Sequence, residues 1–292
     1  MARDLLHFLR DAAFCGGHVS GQVAILAPLG IAALLYAFGF RRLAAGPGKE
    51  TVARTAQAAS FAAALIVILA ALVSPLDDWA DASFAAHMGQ HLLLIVVAAP
   101  LLALSRAPIV MLSAFDVQGR RGLAVAGARS GWNACARALA RPVPAWAVFV
   151  GVFLFWHMPA AFSWARRHEA VHIGEHLTLL LSAWLFWSVA LVPARHHLSR
   201  GAAALFVVAA AIALDLPSAV MIFSPRPLYT WARAPALPWG LTALQDQELA
   251  GLLMWVPGSL VFYSIAIWLF AQWLAPSNPT RLYANDSVRI IR

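Results

Sequence analysis

The sequence predicts an all-α, polytopic membrane protein with seven transmembrane helices, its N-terminus outside and its C-terminus in the cytoplasm. Three observations carry this expectation. The 292 residues are 62% apolar and 12% charged, whereas soluble domains run near 45–50% and about 25%. A mean hydropathy of +0.74 means that lipid faces much of the chain. The apolar residues fall in continuous runs long enough to cross a bilayer core of about 30 Å as helices, and they do not alternate as barrel strands do.

Seven such runs can be placed, near residues 20–39, 54–73, 86–105, 143–162, 171–192, 201–223 and 248–273. The basic residues orient them. All but Lys49 are arginines, and fifteen of the 21 lie in the connections after spans one, three, five and seven. Cytoplasmic loops carry the excess of Lys and Arg, so those connections are expected inside. The same distribution accounts for the net charge of +8 without a nucleic-acid partner. Arg3, Asp4, Arg10 and Asp11 give the N-terminus no net positive bias, so the first span is expected to stay in place rather than act as a cleaved signal.

The implied organisation is an outer segment 1–19, a membrane domain 20–273 and a cytoplasmic tail 274–292. The expected setting is a membrane crossed many times, its arginine-rich side taken as cytoplasmic. The inner connection 106–142 mixes apolar residues with arginines in its second half. That half reads either as a helix lying in the membrane interface or as a glycine-punctuated loop. The outer connection 224–247, rich in proline and aromatics, reads as an ordered cap. Two cysteines exclude a disulfide framework.

Depth singles out five of the ten histidines. His87 and His91 open span three, His157 lies near the outer end of span four, and His172 and His176 open span five. Each pair has i,i+4 spacing, which stacks both imidazoles on one helix face. Ionisable groups in spans are costly and mark functional interiors. Neutral imidazole ligates copper and zinc, and paired histidines on facing helices also suit haem. Glu175 can act as ligand, base or orienter beside them. Met88, Met158 and Met221 lie at a similar level, and soft sulfur favours Cu(I). Asp246, at the mouth of span seven, is a supporting candidate, and Asp215, deep in span six, must pair, protonate or face the site. The segment His172-Ile173-Gly174-Glu175-His176 also fits the H-x-x-E-H string of one metalloprotease group, so a metal-dependent intramembrane hydrolase with Glu175 as base stands beside the other readings.

Five segments together resemble the seven-helix cytochrome c oxidase assembly factors of the caa3-type CtaG family. They are His87-Met88-Gly89-Gln90-His91 with Ala99-Pro100, Trp156-His157-Met158-Pro159, His172 to His176, Ser224-Pro225-Arg226-Pro227-Leu228-Tyr229, and the run from Gln245 to Gly258. The resemblance implies a non-enzymatic membrane protein that helps assemble a haem–copper oxidase. Its partners would be oxidase subunits, the lipid bilayer and an extracytoplasmic copper donor. With the histidines it points to copper as the metal, zinc or haem being the alternatives.

Overall fold

The computed structural model describes residues 23, 25–44, 51–192, 198–229 and 240–275. Among these there is no strand, and the chain is a bundle of helices. Helix α1 (Ile25–Ala44) and α2 (Thr51–Leu72) are followed by the short α3 (Pro75–Ala82). The next helix, α4 (Phe84–Leu104), holds a π-helical stretch, Leu93–Ala98. Short helices α5 (Ala107–Leu112), α6 (Val117–Arg129) and α7 (Trp132–Leu139) lead to α8 (Pro142–Trp156) and α9 (Pro159–Arg167). The long α10 (Glu169–Leu191), α11 (Arg200–Phe223) and α12 (Ala243–Leu274) complete the bundle.

Six helices are long and apolar enough to cross a membrane, and a seventh span arises if the bent pair α7–α8 counts as one. The protein is therefore a multi-span membrane protein. The expected fourth span, 143–162, is the one that changes. Helix α8 stops at Trp156, after 15 residues, which at 1.5 Å per residue is only about 22 Å. Pro159 is the cause, because a proline disfavours helical backbone in the residue before it. Met158 accordingly sits at φ −76°, ψ 133° and caps the separate α9. The connection 106–142 is helical rather than loop-like, and the last helix begins five residues earlier than the sequence predicts. A capping box of Thr242 and Gln245 sets that start.

Helices α4, α8, α10, α11 and α12 share one core, in which Phe149, Phe153, Phe186, Trp187 and Phe262 are buried. The α1–α2 pair covers the other flank of α4, where Tyr36 stacks on Phe61 at 3.9 Å. Helices α11 and α12 approach closely at Gly251. A Cβ there would lie 2.9 Å from the Ser218 carbonyl oxygen, so only glycine permits this packing.

The π-helical stretch is held by an identifiable device. Ala99 N donates to Leu94 O, five residues back. In that register the Ile95 carbonyl would await Pro100, which has no N–H. The indole Nε1 of Trp187, on α10, donates to Ile95 O at 2.8 Å and satisfies it. This irregular turn begins two residues after His91.

Candidate metal centre

The first turns of α4 and α10 and the C-terminal end of α8 meet at one end of the bundle and bring the five predicted histidines together. Their ring centroids form a continuous cluster: 4.4 Å for His87–His91, 5.2 Å for His87–His172, 5.1 Å for His91–His176, 4.6 Å for His172–His176 and 5.7 Å for His91–His157. His87, His91, His157 and His176 are buried and His172 is partly so.

Ligand atoms of His87, His91 and His176 all lie within 4.8 Å of one another, and so do those of His87, His172 and Glu175. The two sets share His87. His157 belongs to neither and stands beside His91.

Several of the donor atoms make no hydrogen bond within the protein. Both nitrogens of His91, and Nε2 of His157, His172 and His176, are buried without a hydrogen-bond partner. Buried polar atoms are normally satisfied, so such a concentration in one place marks a cluster that could hold a metal ion. His157 Nδ1 lies 2.6 Å from the Phe153 carbonyl oxygen. A carbonyl only accepts, so Nδ1 carries the proton and Nε2 keeps its lone pair, the usual arrangement for a ligating imidazole. Glu175 is fully buried, and its Oε1 lies 3.6 Å from His91 Nε2 and 3.8 Å from His87 Nε2.

Neighbouring elements clamp these helices. Ser83 caps α4 through Ala86 N, and Asp246 reaches over from α12 to bind the same turn. Asp246 is thus buried and fastens the start of the helix that carries His87 and His91. The break at His157 is held by Tyr229, whose hydroxyl donates to the His157 carbonyl oxygen and whose ring stacks on Phe84 at 4.4 Å. Burial pushes the Tyr229 phenol up to about 12. Trp156 Nε1 donates to Thr178 Oγ1 at 2.9 Å, tying α8 to α10. At the rim, Arg166 on α9 pairs with Asp81 on α3 at 2.9 Å.

Two glutamines stand out only in three dimensions. Gln90 Nε2, on α4, donates to Ala71 O and Asp77 Oδ1 at 2.7 and 2.9 Å. Gln247 accepts from Leu228 N at 2.6 Å and donates to Met221 O at 2.9 Å, which fastens the loop carrying Tyr229. A buried amide in an apolar span was the available signal for both. Asp215 sits outside the cluster and accepts from Ser259 Oγ at 2.8 Å, beside a cavity of about 30 Å³. Met88 is buried in the core, whereas Met158 is 48% exposed. His7, Cys15, His18, His196 and His197 lie outside the described residues.

The family model of the cytochrome c oxidase caa3 assembly factors matches residues 34–275. The chain belongs to that family. The match runs from α1 to the end of α12 and contains all five histidines, Glu175 and Asp246. Comparison with the curated proteins and with solved structures returned no match. Membership makes the protein a membrane-integral assembly factor for cytochrome c oxidase, and the oxidase its partner.

Proposed function

We propose that this caa3 assembly factor captures a copper ion at its histidine cluster and hands it to the oxidase during assembly. The observation that carries the reading is the buried trio His87, His91 and His176, whose ligand atoms converge within 4.8 Å. His172 and Glu175 form an adjoining set through His87, and His157 waits beside them as a further donor. A cargo ion needs a path between ligand sets rather than one closed cage, and overlapping sets supply it. Glu175 contributes a negative charge that offsets the bound cation, and it orients the imidazoles next to it.

The role is non-enzymatic. Haem fits the cluster poorly, because imidazoles packed with centroids 4.4 to 5.7 Å apart leave no slot for a macrocycle between them. Copper suits a set of neutral imidazoles. The arginine distribution supports a topology with the histidine end outside a bacterial cytoplasmic membrane, residues 1–19 outside and 274–292 inside. There it can receive copper from an extracytoplasmic donor.

The test is deletion of the gene followed by purification of the oxidase. The oxidase polypeptides should be made, with lowered copper content and activity, and external copper should restore part of both by mass action. Normal oxidase copper in the deletion strain would overturn the proposal. Metal analysis of the purified protein supplies the direct check, with copper expected in the native chain and lost from His91→Ala.

A further inference from the structure

Helices α6 and α7 form an ordered hairpin that nothing else in the described chain covers. No residue of either helix is buried. The hairpin is nonetheless rigid: Asn133 Nδ2 donates to Ala124 O at 3.0 Å. A Cβ at Gly127 would meet Asn133 Oδ1 at 2.5 Å, so glycine lets the two helices close. Such a hairpin has its shape without a protein partner.

Its direction identifies its surroundings. Helix α7 meets the apolar α8 at 84°. If α8 stands across the bilayer, α7 lies along the membrane surface. On α7 the side chains of Trp132, Cys135 and Leu139 share one face by helical spacing, and Arg137 points elsewhere. Trp132 is 68% exposed, an unfavourable place for an indole in water and a favourable one at the headgroup level of a membrane.

Charge gives the second, independent indication. Arg120, Arg121, Arg129, Arg137 and Arg141 are all exposed, and none makes an ion pair among the described residues. The one carboxylate of this stretch, Asp116, is engaged in capping α6, accepting from Gly119 N at 2.7 Å. Five unpaired guanidiniums on a rigid surface element at membrane level are a match for phosphate, which guanidinium binds bidentately.

We infer that the α6–α7 hairpin is a binding surface for anionic phospholipid headgroups, laid on the membrane with Trp132 and Leu139 in the headgroup–acyl boundary. The arginines hold the lipid phosphates, and the hairpin fixes the tilt of the short α8, whose far end carries His157. The site is separate from the histidine cluster and does not depend on what that cluster binds.

The test uses the full chain carrying Cys15→Ser, so that Cys135 alone takes an environment-sensitive fluorophore, in nanodiscs of phosphatidylcholine with phosphatidylglycerol. The fluorophore should be quenched by headgroup-level nitroxide lipid and shielded from iodide. Phosphatidylglycerol should remain bound to the detergent-purified native chain. Replacing Arg120, Arg121, Arg129 and Arg137 by Gln should lower that retention at least about 10-fold, since each arginine near an anionic surface contributes about fivefold. The four Arg→Lys changes should restore most of it, which separates charge from folding. Trp132→Ala should weaken nitroxide quenching and leave lipid retention nearly unchanged. Free access of iodide to the fluorophore would overturn the proposal, because the hairpin would then face water or a protein. Lipid retention equal in the native and Gln chains would overturn it as well.

Discussion

Asp246 of α12 accepts from the backbone N–H of Phe84 at 2.7 Å and from Ser83 Oγ at 2.6 Å, fastening the start of α4 from the far end of the sequence. A third bond comes from Ala85 N at 3.3 Å. His87 follows one turn later, so this carboxylate sets the height and rotation of the first two candidate ligands. Free N–H groups at a helix start favour a negative charge, which explains why an acidic residue is kept in a site 2% exposed.

Asp246→Ala should therefore destabilise the protein by about 2–3 kcal/mol, because it leaves buried donors without an acceptor. Asp246→Asn keeps one acceptor and should cost about half as much. Thermal unfolding in detergent measures both, and metal affinity should fall in the same order. An unchanged melting temperature in Asp246→Ala would show that the clamp does not hold α4.

His91→Ala and His176→Ala should each lower copper occupancy by at least about 10-fold. His168→Ala should leave it unchanged, since that ring is exposed and hydrogen-bonds the Trp164 carbonyl oxygen. Protons compete with metal for the imidazole lone pair, so binding should weaken on acidification and be restored on return to neutral pH. Equilibrium titration of the purified chain reads both effects, and equal losses in all three variants would mean that the cluster is not selective.

Glu175→Gln separates ion handling from hydrolysis. A general base lost from a metal-dependent hydrolase leaves the metal bound and function abolished. In an ion-handling site the same change removes a balancing charge beside His87 and His91. Copper affinity should then fall while part of the oxidase activity survives. Full occupancy with no oxidase assembly would favour the hydrolase.

Tyr229 offers an alkaline signature. Its phenol is raised to about 12 by burial, against about 10 in the unfolded chain. The folded state therefore holds the proton longer, and the associated stability is complete below pH 10 and lost as pH rises through 12. Tyr229→Phe should cost about 1 kcal/mol near neutrality and flatten the loss between pH 10 and 12. Identical alkaline profiles of the two proteins would contradict this.

Orientation is checked by accessibility. In a cysteine-free background, Asp78→Cys should react with a membrane-impermeant reagent added to intact cells. Gly122→Cys, at an exposed position where a side chain meets nothing within 4 Å, should react only after the membrane is opened. The opposite pattern would put the histidine end in the cytoplasm and remove the extracytoplasmic donor from the proposal.

The amino-acid sequence by itself determined the helical membrane class, the approximate place of most spans and the depth of the five histidines. Those features depend on local quantities: run length against bilayer thickness, and 3.6 residues per turn within each pair. It also contained the cause of the broken span at Pro159, although only the folded chain makes the helix end plain. The tertiary structure alone decided which histidines bring their ligand atoms together, that Asp246 fastens a distant helix, and that Trp187 satisfies the carbonyl orphaned by Pro100. Each of these joins residues far apart in sequence, and no periodicity records which helix faces which. Packing decides that, through close approaches such as the one Gly251 permits between α11 and α12.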